Sequence, residues 1–329
     1  MGRRLPAAVR WDLIARSVTA VVGCGILLPT FDPLRTAELP LLAAARRAEA
    51  LGFDSAWAGD HLACPAPNLD GPTSLAAAAA VTTEIQLGFS ILLLGLRPPA
   101  WTAKQLVTLQ LLSGGRLTVG VGAGGEFPPE FAAAGVPVSQ RGARLDQALA
   151  ALPGLLTGQP ATSPGDRGGP ALTIPPLEPA LPQPPRMLVG GRGEPALRRA
   201  ARYGDGWLPM WLTPERLRER AALLAELAVA QGRPQPSVTL LIGVHVDEDE
   251  RRARREAGRY LHGQYGLELS AVEHWTPLGR IERVLEQMHG YLAAGVSEFI
   301  FFPLARDPLA QYERLAELRA GVRALGARP

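Results

Sequence analysis

The chain has 329 residues, 47% of them hydrophobic, and carries 34 basic against 31 acidic side chains for a net charge of +3. That composition excludes a chain disordered throughout and suits a large core, while the length suits one (β/α)8 barrel of about 250 residues plus extensions. The arginines fall in helical stretches beside glutamates, as in Arg216–Arg220 and Arg251–Arg255, which reads as solvated helix faces and no nucleic-acid surface.

Short β-rich runs alternate with longer amphipathic ones. The first strand is read at Val18–Leu28, followed by a helix at Ala37–Leu51 that Gly52 ends. Phe53–Ala58 is the second strand, Thr73–Thr82 a helix, Ile85–Leu94 the third strand and Pro98–Leu112 a helix opened by two prolines. Arg116–Val121 is the fourth strand and Gln140–Leu156 the next helix. Gly158–Pro185 then breaks the rhythm with many Pro and Gly residues, an excursion with one short strand near Ala171–Ile174. Strands return at Arg186–Val189, Gly206–Met210, Ser237–Val246 and Ser297–Phe302, separated by helices at Glu194–Tyr203, Pro214–Gln231, Glu248–Gln264 and Leu278–Ala294 and closed by Leu309–Leu325.

Eight strands, each followed by a helix, imply a parallel sheet, and eight units favour a closed α/β TIM barrel, here with an insertion at about 158–185 between the fourth and fifth strands. The open alternative carries Gly-x-Gly-x-x-Gly after its first strand, where this chain has Pro29-Thr30-Phe31-Asp32. Residues 1–17 are read as an N-terminal extension and 18–329 as the barrel. No run approaches 18 apolar residues, so no membrane span is expected. The N-terminus lacks a signal-peptide h-region, and Cys24 and Cys64 form neither a disulfide framework nor a metal-ligand spacing. A cytoplasmic protein without a structural metal is the expectation. Lys104 is the only lysine.

Active sites of such barrels lie at the C-terminal ends of the strands. The second strand ends in Gly59-Asp60-His61, a carboxylate beside an imidazole suited to proton transfer near neutral pH, or else a His that caps a loop. The fifth ends in Gly190-Gly191-Arg192-Gly193 before a helix. Three glycines there are more than one turn requires, which favours a phosphate held by backbone N–H groups, the helix dipole and Arg192. Gly120–Glu126 is also glycine-dense and points to backbone packed against a flat ligand through Gly122 and Gly124. Glu126 is either a catalytic carboxylate or a loop residue, and Glu130 is read as starting or capping the next short helix. Trp57, Trp207 and Trp211 are read as core, with Trp211 the one placed to line a pocket.

Together these motifs resemble the bacterial luciferase-like monooxygenase superfamily from about Val22 to Leu212, and more weakly to the C-terminus. The carrying residues are Gly25–Pro29, Ala48–Trp57 leading to Gly59-Asp60-His61, Ser113-Gly114-Gly115-Arg116-Leu117 before Gly120-Val121-Gly122, and Val189-Gly190-Gly191 before Tyr203–Trp207. The resemblance implies a cofactor phosphate on Gly190–Gly193, a non-prolyl cis bulge at Ser90-Ile91 under the cofactor ring, and Asp60, His61 and Glu126 beside that ring. Gly-Asp-His at the second strand is similar to members using the deazaflavin coenzyme F-420, whereas FMN members often have Glu-His-His. The resemblance therefore implies an F-420-dependent hydride-transfer oxidoreductase acting on a small organic molecule, and a homodimer. The alternatives are an FMN-dependent monooxygenase fed by a separate reductase, and a non-catalytic partner subunit.

Overall fold

The structure is a computed structural model that describes residues 22–163 and 172–327. The extension at 1–17 and the start of the first expected strand lie outside the described residues. The barrel strands are β1 (Gly23–Leu27), β2 (Ser55–Ala58), β3 (Gln86–Leu92) and β4 (Leu117–Val121), then β7 (Arg186–Gly190), β8 (Gly206–Leu208), β9 (Ser237–Val246) and β11 (Glu298–Pro303). Two short strands, β5 (Ala161–Ser163) and β6 (Leu172–Ile174), and the two-residue β10 (Leu278–Gly279) complete the count among the described residues. The principal sheet runs β9-β11-β1-β2-β3-β4-β7-β8, all parallel, and β8 pairs back onto β9. The expected closed eight-stranded barrel is the fold. β5 and β6 pair antiparallel inside the Pro/Gly-rich excursion.

The helices α1 (Leu41–Ala50), α2 (Gly71–Ala79), α3 (Pro99–Leu112), α4 (Pro128–Ala133), α5 (Arg141–Leu156), α6 (Glu194–Tyr203), α7 (Pro214–Ala230), α8 (Glu250–Tyr265), α9 (Leu269–Val272), α10 (Ile281–Ala293) and α11 (Pro308–Gly326) follow the strands. No helix among the described residues is long and apolar enough to cross a membrane. The Lys104 ammonium of α3 donates to the Glu178 carbonyl, tying the excursion to the barrel's outer layer.

Three of the boundaries that differ from the periodicity have a plain physical reason. The first helix starts at Leu41 and not Ala37, because the Asp32 carboxylate takes the N–H groups of Thr36 and Ala37 at 2.9 and 2.7 Å and holds Ala37 at φ 60°. The sixth strand stops at Leu208, because Pro209 has no N–H for the ladder; Met210 only bridges Leu241. The helix expected from Leu278 begins at Ile281, because Leu278 and Gly279 pair with His245 and Val246 of β9.

The barrel interior is filled by side chains. Trp57 is fully buried there, and a Cβ at Gly25 or Gly88 would lie 2.6 or 2.3 Å from its indole, so both positions must stay bare. The Trp57 Nε1–H donates to Ser55 Oγ (2.7 Å), whose hydroxyl donates to Glu298 (2.7 Å). This polar floor closes the N-terminal end of the barrel and leaves the opposite end open for a ligand.

Candidate active site

A cavity of about 560 Å³ opens at the C-terminal ends of the strands. Asp60, His61, Ser90, Ile91, Gly124, Glu126, Gly190, Gly191, Arg192, Gly193 and Trp211 all line it. Of the expected site residues only Gly122 does not. A Cβ on Gly122 would sit 1.8 Å from Ile91 Cδ1, so that glycine makes room for a side chain and not for a ligand.

Ile91 needs the room because β3 is irregular. The Ser90–Ile91 peptide is cis, as the resemblance implied, and the pairing of β3 with β4 shifts register between Phe89 and Leu92. The break turns Ile91 over the ends of β4 and β7, where a Cβ on Gly190 would also meet it, at 2.9 Å. The Ser90 hydroxyl is buried on the cavity wall without a partner among the described residues. An orphaned hydroxyl lining a cavity is what a bound polar ring edge would satisfy.

Gly190 ends β7, Gly191 adopts φ 118°, which disfavours any L side chain, and Gly193 stands at the start of α6 with no side chain capping the helix. The N–H groups of Gly193 and Glu194 take no partner among the described residues and are left for an anion, while Pro195 has no N–H and the Ala196 N–H already donates to the Gly193 carbonyl at 3.0 Å. The loop is held from below, because the buried Trp207 Nε1–H donates to the Gly191 carbonyl at 2.8 Å. Arg192 is exposed and lies 5.7 Å over the ring of Trp211, a cation–π contact. Arg141 and Arg199 also line this side, and Arg199 is bound to Asp146 at 2.6 Å.

Asp60 and His61 separate into different roles. The Asp60 carboxylate is buried and committed: it accepts from the Leu93 N–H (3.1 Å) and Gly71 N–H (3.4 Å) and pairs with Arg97 at 2.7 Å. It fixes the end of β3 to α2 and has little left for a ligand. His61 Nδ1 lies 3.0 Å from Glu130 Oε2, while its ring packs edge-on against Phe31 and Phe127 at 5.8 and 5.1 Å. Nε2 is left as the ring nitrogen without a partner among the described residues.

Glu130 is the main correction to the sequence reading. It does lie in the first turn of α4, but its side chain is fully buried against His61 and also accepts from the Leu62 N–H at 3.3 Å; its Oε1 has no partner. The Asp/Glu that the sequence pointed to, Glu126, is exposed at the cavity rim. Tyr265, at the end of α8, was also missed. It packs edge-on against Trp211 at 5.0 Å, and burial first, then the Glu126 carboxylate, push its phenol well above the usual tyrosine range. Burial raises the Cys64 thiol to about 11, which removes thiolate chemistry at neutral pH. No group of three or more His, Cys, Asp or Glu side chains suited to a metal ion occurs among the described residues.

The profile of the luciferase-like monooxygenases matches residues 24–319, and the chain belongs to that family of oxidoreductases. The F-420-dependent glucose-6-phosphate dehydrogenase of Beutenbergia cavernae is 30% identical over 310 residues, covering 84% of this chain and 91% of that relative. Among solved structures, an F-420-dependent secondary alcohol dehydrogenase carrying an F-420–acetone adduct superposes with a TM-score of 0.78 at 20% identity, over 92% of this chain and 99% of the other. The FMN-bound oxygenating constituent of 3,6-diketocamphane monooxygenase from Pseudomonas putida, a type II Baeyer–Villiger monooxygenase, superposes at 0.73 with 19% identity, over 91% and 96%.

Proposed function

We propose, with membership of the luciferase-like family as the premise, that this protein is a coenzyme F-420-dependent hydride-transfer oxidoreductase. The observation that carries the reading is the meeting, in one cavity, of an uncapped glycine loop at a helix N-terminus with a histidine oriented by a buried carboxylate. A relative that is similar over most of both chains is named for F-420, which favours the deazaflavin over FMN.

The residues present fit such a cofactor. Gly190–Gly193 and Arg192 would hold its phosphate, the backbone of Gly124 would border it, and Ser90 and Ile91 would lie against its ring. The bound deazaflavin supplies the hydride acceptor or donor. The contact with Glu130 occupies Nδ1 of His61 and orients the ring, so Nε2 is the nitrogen that would take or return the substrate's proton. Asp60 is a positioning residue for the same end of the barrel, through Arg97 and the Leu93 N–H. Trp211 forms the wall facing the loop, and Glu126 borders the mouth.

Titration of the purified protein with F-420 and with FMN, followed by absorbance, tests the cofactor. Micromolar binding of F-420 with much weaker FMN is expected; tight FMN and no F-420 would reject the deazaflavin. The His61→Ala variant should lose about 10²–10⁴ in kcat with cofactor affinity retained. Glu130→Gln should lose about tenfold or more in kcat with KM little changed, the split expected of a group that acts through His61; an equal rise in KM would make Glu130 merely structural. The FMN-dependent monooxygenase is the second reading, favoured by the FMN-bound structural neighbour. Oxygen uptake with reduced FMN would support it. We further propose a cytoplasmic location and a homodimer, the dimer supported by Trp101 and Leu112 standing 71% and 66% exposed on α3; the mass in solution tests the oligomeric state.

A further inference from the structure

The strand order divides the cavity wall into two arcs. On the arc β3-β4-β7 lie the glycine loop, Ser90, Ile91 and, beyond them on α5 and α6, Arg141 and Arg199. On the arc β8-β9-β11-β1 and the segments following those strands, the cavity meets Met210, Trp211, Leu241, Tyr265, Phe302 and Phe31. His61 from β2 and the Arg192–Trp211 contact mark the two junctions. The second arc brings no lysine or arginine to the cavity among the described residues. Arg306, past the end of β11, lines a separate small cleft with Asp32 and Glu38, and Lys104 is held on α3 by Glu178.

On the reading that the first arc holds the cofactor, we infer that the second arc takes a small, uncharged, largely apolar alcohol or carbonyl compound, with the Tyr265 hydroxyl as a second hydrogen-bonding group for its oxygen beside His61 Nε2. Three observations support this. A phosphate or carboxylate on the substrate would need a cation on the second arc, and the charge that acts most on the Tyr265 phenol is the carboxylate of Glu126. The Tyr265 hydroxyl takes no hydrogen bond from the described residues, and its surroundings keep it protonated and therefore able to donate. Trp211 sits at φ 55°, a backbone region that bulky residues rarely occupy, and in that conformation its ring closes the space between Arg192 and Tyr265. The arc is thus an aromatic slot with one polar point, unlike a site for a sugar phosphate.

Calorimetric titration tests the inference on the protein alone and on the F-420 complex, with cyclohexanone, acetophenone and cyclohexanol as neutral probes and glucose 6-phosphate as the charged one. At least one neutral probe should bind, glucose 6-phosphate should not, and Tyr265→Phe should weaken the neutral probe about fivefold to tenfold. F-420 affinity and melting temperature should stay unchanged in that variant, which separates lost recognition from lost packing. Binding of glucose 6-phosphate as tight as the neutral probes, no binding of any neutral probe, or undiminished binding by Tyr265→Phe would each overturn the proposal. Failure of wild-type protein to bind F-420 would instead reject the cofactor reading, and the titrations without cofactor keep the two results apart.

Discussion

At the barrel floor, Gly114 and Gly115 turn the chain through left-handed backbone, φ 68° and 90°, and deliver Arg116 beneath β3 and α2. At the mouth, Gly191 turns the chain at φ 118° and delivers Arg192 to the rim. The two segments look alike as sequence, glycines followed by one arginine. Their donors end differently. Arg116 is buried and gives its hydrogens to Ser113 O, Ile85 O, Thr82 O, Thr82 Oγ1 and Ala79 O, so it is saturated by the protein. Arg192 is exposed beside the cavity with only an aromatic face against it. Saturation of donors, and not residue type, separates an arginine that holds the fold from one available to a ligand.

The contrast can be broken by substitution. Arg116→Ala leaves several buried carbonyls without donors and should cost about 3–5 kcal/mol of stability, read as a lower urea midpoint, while the folded fraction binds F-420 as before. Arg192→Ala should do the reverse, weakening F-420 about tenfold to hundredfold with stability moved by less than about 0.5 kcal/mol. Lost stability with intact affinity in that variant would erase the distinction. Trp207→Phe should give the smallest effect on affinity, about threefold to tenfold weaker F-420 binding, because the support of the Gly191 carbonyl is removed, while the smaller ring in the core also lowers stability.

The barrel was legible because each strand and helix is a local pattern, and eight such units have few ways to close. Gly190–Gly193 was legible for the same reason: loop and helix start are contiguous in sequence. The partners of the site were not. Glu130 reaches His61 across 69 positions, and its place in a first turn gave a sufficient local reason for it to be there. Tyr265 belongs to a helix whose other face packs on the barrel, so nothing in its neighbourhood marked it as facing a ligand. Gly122 erred in the other direction. Its bareness serves Ile91, a contact that exists only because β3 breaks register. The one local hint was Pro128-Pro129, which forces a helix to begin just before Glu130 and turns its side chain inward.

The hold of Lys104 on Glu178 has a practical side. Guanidinium groups acylate poorly, so a surface supplied almost wholly with arginine offers an amine-directed reagent one side-chain target. That target is on an outer helix and does not border the cavity. A dye or tether placed there would report on the Pro-rich excursion it releases, and would leave the ligand's approach to the barrel mouth free.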